Sequence, residues 1–337
     1  MLGWAVKKNP RDARAQYLLG NLYYNKERAD EAIACWEKAV ALEPSNVVAN
    51  RNRGYAWAQK NDLQQARKAY EAAVNTEPSA ALAVYELEGV YEDLGLPVQE
   101  RVAFLEQHPE ALSKSDPVLK RLISGYVQLS RFQDALKWLS EHHFKSWEGR
   151  YDIHQYWVES HIQQGDLDFN AGNYEKALEH YRLALTYPPN LEVAEQPRTT
   201  NARKLYKVGL ALEALKKKGE AKKMFNQVVS EQMRPDNASQ YFRGKALEKL
   251  GKKDQARKVY EELLAAVKRL GVSENEFIED EMNFDPRRKP QALLHFKLYL
   301  ALEGLGRLEE AETERKEALK RDPIVALRAF SPPRAGW

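Results

Sequence analysis

The chain has 337 residues, 30% of them charged, and its 52 Lys and Arg nearly balance 49 Asp and Glu, for a formal net charge of +3 at pH 7. That balance excludes a nucleic-acid binder that works by bulk charge, and no window holds the roughly 20 apolar residues that span a bilayer. A single cysteine, Cys35, excludes an internal disulfide framework and a multi-Cys metal or cluster site, and the opening MLGWAVKKNP has no long apolar signal segment, so the composition points to the cytoplasm.

Self-similarity at a period of 34 organises the chain. Pro10, Pro44 and Pro78 are 34 apart, as are Ala5, Ala39 and Ala73, Gly20 and Gly54, Ala32 and Ala66, and Trp36 and Tyr70. Between prolines, apolar residues recur at helical spacing: Leu18, Leu19, Leu22 and Tyr23, then Ala32, Ile33, Trp36, Ala39 and Val40. The polar stretch Asn25–Asp30 separates the two sets, so each unit reads as two helices and a tight turn. Gly20 and Ala32 sit where antiparallel helices approach closely, Trp36 fills the space beside them, and Pro44 ends the second helix. One such hairpin cannot bury its apolar face, whereas a row of them can.

In chain order, residues 1–12 read as the remnant of a preceding repeat helix, because Leu2, Ala5 and Pro10 fall one period before Trp36, Ala39 and Pro44. The natural protein is therefore expected to continue upstream. Four repeats fill 13–149, as units 13–46, 47–80, 81–114 and 116–149; the third has Glu88 and Glu100 where small residues are usual. Residues 150–270 hold an extended helix and repeats 5–7. That helix, within Trp147 to Ala171, is expected to lean out of the array. Residues 271–291 form an insertion, acidic up to Asp285 and then basic at Arg287, Arg288 and Lys289, read as a docked segment. Repeat 8 covers 292–325 with Arg315 at the aromatic position, and 326–337 is a C-terminal tail.

These residues resemble the tetratricopeptide repeat family, whose pattern is aromatic, Leu-Gly, aromatic, Ala, aromatic, Ala and Pro. Unit 13–46 carries it as Leu19, Gly20, Tyr23, Ala32, Trp36, Ala39 and Pro44. The resemblance implies an all-α, tetratricopeptide-like α-solenoid, a superhelical stack of helix-turn-helix units. The Trp-Glu-Gly-Arg segment, the extended helix, the stretch around Pro188–Thr200 and the Asn-Phe-Asp-Pro-Arg-Arg insertion look like the C-terminal repeat region of large bacterial proteins of unknown function. In those an N-terminal β-sandwich similar to aldose mutarotases precedes the repeats.

Catalytic and metal chemistry finds little support. His142, His143, His154 and His161 lie within twenty residues, with Glu141, Asp152 and Glu159 as conceivable co-ligands, but there is no H-E-x-x-H. The polar face of an amphipathic helix explains them better than a metal site. Asp166, Asp168, Asn170 and Gly172 imitate a calcium loop, with glycine one place late and Ala177 where Glu is required. Gly304 and Gly306 open a partial G-x-G that Glu309 breaks. Cys35, beside Trp36, reads as a packing residue. Residues 202–270 hold eighteen basic against eight acidic residues, enough to raise an RNA or other anionic partner as an alternative.

The resemblance implies a groove lined by the first helix of each unit. Its positions here are Arg14, Tyr17, Asn21, Tyr24 and Asn25, then Val48, Arg51, Tyr55, Ala58 and Gln59, then Leu82, Tyr85, Gly89, Glu92 and Asp93 in the third unit, with Asn52 beside Arg51. Tyrosine supplies contact area at low entropic cost, and asparagine can take both backbone groups of a peptide. The carboxylate clamp of chaperone-binding members is not spelled out. Asn21 and Asn52 match its two asparagines, but its basic places are Tyr17, Leu82 and Glu86. The expected role is a non-enzymatic scaffold without cofactor or metal that holds a protein or peptide, an upstream domain of the same natural chain being one candidate. An alternative is an accessory region of a carbohydrate-active enzyme.

Overall fold

The computed structural model describes residues 2–145, 152–195, 199–272 and 290–330. The Trp-Glu-Gly-Arg motif, residues 273–289 of the insertion and 331–337 of the tail lie outside the described residues. Every regular element among those described is helical, and hairpins of antiparallel helices follow one another as the repeat predicts. They fall into two compact units, Met1–Leu129 and Ser130–Trp337.

The first unit contains α1 (Leu2–Lys8), α2 (Ala13–Tyr24), α3 (Ala29–Leu42), α4 (Val47–Gln59), α5 (Leu63–Thr76), α6 (Ala81–Asp93), α7 (Val98–Glu106), α8 (Pro109–Lys114) and α9 (Asp116–Gln128). Three first arms and second arms start on side-chain caps: Asp12, Asn46 and Asp62 accept from the N–H of Ala15 (2.9 Å), Ala49 (2.9 Å) and Gln65 (3.1 Å). The turns reverse on left-handed residues one period apart, Glu27 (φ 59°), Asn61 (φ 59°) and Gly95 (φ 75°). The close approach inferred at Gly20 is real. A Cβ there would stand 2.5 Å from Trp36 Nε1, and one on Gly54 would stand 2.8 Å from the Tyr70 ring. Ala32, Ala39, Ala66 and Ala73 are fully buried on the facing helices.

The third repeat departs from this packing. Pro109 interrupts its second arm, so two short helices, α7 and α8, replace one. Glu88 occupies the place of Gly20 and Gly54, is 1% exposed, and is held by Arg101 (2.6 and 2.8 Å) and by Arg121. An ion cluster thus joins α6, α7 and α9 where a glycine and an aromatic ring meet elsewhere.

The second unit contains α10 (Phe132–Glu141), α11 (Asp152–Asn170), α12 (Tyr174–Leu183), a 3-10 turn (Pro189–Leu191), α13 (Ala202–Ala214), α14 (Lys218–Ser230), α15 (Gln240–Lys249), α16 (Lys253–Val272), α17 (Pro290–Gly304), α18 (Leu308–Arg321) and α19 (Val325–Ala329). The glycine–aromatic contact recurs at Gly165–Tyr181, Gly209–Phe225 and Gly244–Tyr260. One expectation needs correction. At 19 residues α11 is longer than most first arms, but it does not lean out: it packs on α10, α12 and α13 and buries Ile153, Tyr156, Trp157 and Ile162. Its apolar residues cover more than one face, which ties it into the core.

Candidate functional site

The first arms of the first unit stand side by side, tied by polar contacts between neighbours. Asn52 Nδ2 donates to Asn21 Oδ1 at 3.2 Å, linking α4 to α2. Arg51 donates twice to Glu86, at 2.7 and 2.6 Å, linking α4 to α6. Arg121 of α9 reaches Glu88 and Glu92 of α6. Each link spans roughly one repeat, so the period that stacks the hairpins also aligns these side chains.

Four of the predicted groove residues come together. Asn21 Oδ1 also accepts from Trp36 Nε1 at 3.0 Å, which fixes its amide. Asn21 Nδ2 and Asn52 Oδ1 make no hydrogen bond among the described residues, so the pair presents one donor and one acceptor. The Tyr24 ring lies edge-on to Tyr55, centroids 6.1 Å apart, and tilted against Trp36 at 5.6 Å. Burial, then the neighbouring Tyr55, raises the Tyr24 hydroxyl pKa above its ordinary value. Tyr17 and Tyr24 also pack on the buried cluster of Ala32, Ile33, Trp36 and Ala56, so part of each serves the core.

The remaining predicted residues divide. Arg51 is neutralised by Glu86; burial raises the Glu86 carboxyl pKa even against Arg51. Tyr85 lies under the Arg121 guanidinium at 4.2 Å. Arg14, Asn25 and Gln59 are exposed, Asn25 as the residue that closes α2. Leu18 and Leu22 fall outside the expected groove positions, whereas Leu82 is one of them. Leu18 and Leu22 of α2 and Leu82 of α6 are 38%, 38% and 53% exposed. Their signal was an apolar residue at a helix position the hairpin contact does not use.

The chemistry-bearing clusters of the second unit are spent on structure. His154 stacks on Tyr187 with centroids 3.9 Å apart and bonds through Nε2 to the Thr186 carbonyl at 2.9 Å. His161 pairs with His180, Nδ1 to Nδ1 at 2.9 Å. The two do not converge, and Glu159 pairs with Arg203 at 2.6 Å instead of joining either. Asp166 accepts from Lys207 at 2.8 Å and Tyr181 at 2.6 Å, and Gly172 forms a turn with φ 81°. No group of three His, Cys, Asp or Glu able to hold a metal occurs among the described residues. Cys35 is buried, and burial raises its thiol pKa. No described helix is long and apolar enough to cross a membrane.

Comparison with known proteins follows the same lines. Two family models, both described as tetratricopeptide repeat, match residues 1–34, 19–83 and 206–269 and residues 158–191, together more than half of the chain. A 76-residue stretch is 37% identical to the TPR repeat-containing thioredoxin TTL4 of Arabidopsis thaliana, and one of 76 residues is 33% identical to the peroxisomal targeting signal receptor of Saccharomyces cerevisiae. Each match covers 23% of this chain and only 11% and 12% of the respective relative. Similar solved structures include MamA (TM-score 0.28, 18% identity, 55% of this chain and 82% of that one). YrrB, described as a TPR protein with an unusual peptide-binding site, gives 0.30 and 15%, over 68% and 90% of the two chains. The TPR2AB domain of yeast Sti1 in its pHSP90 complex gives 0.34 and 15%, over 86% and 98%. The period, the glycine–aromatic contacts and the family matches agree, and the chain belongs to the tetratricopeptide repeat family.

Proposed function

We propose that the chain is a non-catalytic scaffold whose first unit holds a peptide segment or partner domain along α2, α4 and α6. One observation carries this reading. Of the ten large apolar side chains exposed among the described residues, five (Leu18, Leu22, Val48, Tyr55 and Leu82) lie on these three first arms. Concentrated exposure of that kind marks an interaction surface, where isolated exposed residues do not. The Asn21–Asn52 pair supplies a donor and an acceptor for a partner's backbone beside it. Repeat arrays offer such extended faces in general. The resemblance noted in the sequence makes an upstream β-sandwich of the same natural chain one candidate occupant.

The test is selection of peptides from a displayed random library on the full chain, followed by titration of the selected peptides. Tyr55→Ala and Leu82→Ala are each expected to weaken binding about tenfold, a loss typical of an anchoring side chain. Peptides that bind both variants as tightly as the parent chain would refute the assignment.

A second reading rests on charge. On α14, α16 and the turns before them, Lys216, Lys217, Lys218, Lys222, Lys223, Lys252 and Lys253 are exposed, with no carboxylate partner among the described residues. An anionic partner, RNA included, would gather on such a face. Its affinity should then fall steeply between 50 and about 200 mM salt, as read by fluorescence anisotropy with labelled oligonucleotide. A flat salt response would remove this alternative.

A further inference from the structure

The chain after the last repeat turns back onto its own unit. Asp322 ends α18 and is buried. Its carboxylate accepts from the Ile324 N–H at 3.2 Å and its carbonyl from the Val325 N–H at 3.1 Å, while Pro323 prevents the helix from continuing. The short helix α19 (Val325–Ala329) begins where the first arm of a following repeat would begin. A first arm elsewhere packs on the second arm before it, α4 on α3 for example, whereas the main contacts of α19 are with α17 and α11. Both are first arms, so the segment lies across the first-arm side of the second unit.

Phe330 follows α19 and sits among side chains of three further first-arm positions. Its ring centroid is 5.4 Å from that of Phe242 on α15 and 6.1 Å, edge-on, from that of Phe296 on α17. The Arg203 guanidinium of α13 lies over the same ring at 4.7 Å. Both kinds of contact favour an aromatic ring over an aliphatic side chain. Glu159 holds Arg203 at 2.6 Å, and Tyr206 backs Phe242 with centroids 5.7 Å apart, so the socket is built by the array and not by the tail. Arg203, Phe242 and Phe296 stand at the second, sixth and fifth positions of the repeats that begin at 202, 237 and 292. Arg14, Asn52 and Tyr85 hold those positions in the first unit, so the socket lies on the corresponding face.

The tail is held less firmly than the socket. Five residues are too few for a helix that persists without tertiary contacts. Val325, Ala326, Ala329 and Phe330 pack on the core of the second unit as one stripe, in which Val325 is buried and the other three are half-buried. Phe242 and Phe296 beneath them are buried in full-length first arms. A rigid apolar face that receives one short amphipathic turn has the form of a helix-in-groove complex, with the ligand supplied by the same chain. Terminal segments of this kind open at lower cost than the helices they cover.

We propose that this face of the second unit is a second peptide site, for a partner segment that presents a phenylalanine from a short helical turn, and that the chain's own C-terminal segment fills it until such a partner displaces it. The resident segment specifies the occupant. Apolar residues recur at the spacing of Val325, Ala326, Ala329 and Phe330, with small ones before the ring so that the turn can approach the first arms closely. The ring itself is required, because an aliphatic side chain in its place forfeits the contacts with Phe242, Phe296 and Arg203. A resident competitor lowers the apparent affinity for any partner by the fraction of time the face is open. The site is independent of the groove proposed along α2, α4 and α6.

The test titrates a fluorescein-labelled peptide with the sequence of residues 322–330 against the full chain, read by anisotropy. Phe330→Ala removes the resident ring, so this variant should bind the peptide at least about tenfold more tightly than the parent chain does. Replacing the phenylalanine of the peptide by alanine, or adding Phe242→Ala to the Phe330→Ala chain, should each weaken that binding about tenfold. Hydrogen exchange of the Phe330→Ala chain should show protection lost in α19 and kept in α13, α15 and α17. Equal binding to the parent and to Phe330→Ala, or no binding to Phe330→Ala up to about 1 mM, would overturn the proposal. Protection lost throughout α15 and α17 would do the same, because Phe330 would then be an ordinary core residue. A parent chain that is dimeric by light scattering and monomeric as Phe330→Ala would also overturn it, since the occupant would be the tail of a second copy.

Discussion

Replacing Arg203 with alanine is expected to destabilise the second unit by about 3–5 kcal/mol, the usual effect of removing one partner from a buried ion pair. Glu159 and Arg203 are 5% and 9% exposed, and the guanidinium meets both carboxylate oxygens, at 2.6 and 3.1 Å. Gln163 donates to the same carboxylate at 2.6 Å, and the guanidinium also lies over the Phe330 ring at 4.7 Å. Burial opposes ionisation of Glu159, but Arg203 and Gln163 outweigh it and keep the carboxyl below its ordinary range. With Arg203 gone, that carboxylate is left charged and unpaired in the core of the α11–α13 contact, or takes up a proton. The pair itself is not expected to contribute as much as its breakage costs, because two charges were desolvated to form it. Changing both residues, as Glu159→Leu with Arg203→Met, should therefore recover most of the loss. Hydrogen exchange of α11 and α13 in the full chain measures both effects locally, which matters because a chain of two compact units need not unfold in one step. A single variant that exchanges like the parent, or a double variant worse than the single, would contradict this account.

That ion pair marks the limit of what the sequence makes legible. The hairpins could be read because their causes are local and periodic. Gly20, Ala32 and Trp36 recur as Gly54, Ala66 and Tyr70, and in the structure each glycine faces the ring predicted for it. Long-range polar pairing has no such signature. Glu159 and Arg203 are 44 residues apart, and nothing in either neighbourhood announces the other. Glu88 looked like a flaw in the third repeat, yet it is the centre of a cluster with Arg101 and Arg121. The reversing residue of each turn was equally hidden: Glu27 and Lys216 adopt φ near 60° because their place in the turn requires it, not because of their type. Among the proposed groove residues, Asn21 meets Asn52 and Tyr24 meets Tyr55, each pair about one period apart. Spacing could not show that Arg51 is cancelled by Glu86, since both were assigned to the same face by position and only geometry pairs them.

Acidification from pH 7 to 4 is expected to destabilise the second unit by several kcal/mol, through histidines that folding keeps neutral. His154 is 7% exposed and His161 is 4% exposed. Burial lowers the His154 pKa to about 4; Lys204 adds to that effect, while the Thr186 carbonyl and Glu195 oppose it. Burial and then His180 lower that of His161 to about 3. In the unfolded chain both titrate near 6.5. Between that value and the folded ones, the unfolded chain holds protons the folded chain does not, so stability falls as the pH falls. Each residue should then contribute a slope of about 1.4 kcal/mol per pH unit through this window. The contribution is absent above about pH 7, where both states are neutral. Glu159, whose carboxyl pKa is held low, adds loss in the same direction at the acid end. Denaturant unfolding at half-unit pH steps tests this in the parent chain and in His154→Gln and His161→Phe. Each substitution should flatten the slope between pH 6.5 and 4.5 by about one proton's worth, even where it lowers stability at neutral pH. Slopes that stay parallel in all three chains would mean that carboxylates alone drive the acid transition, with both imidazoles already protonated in the fold.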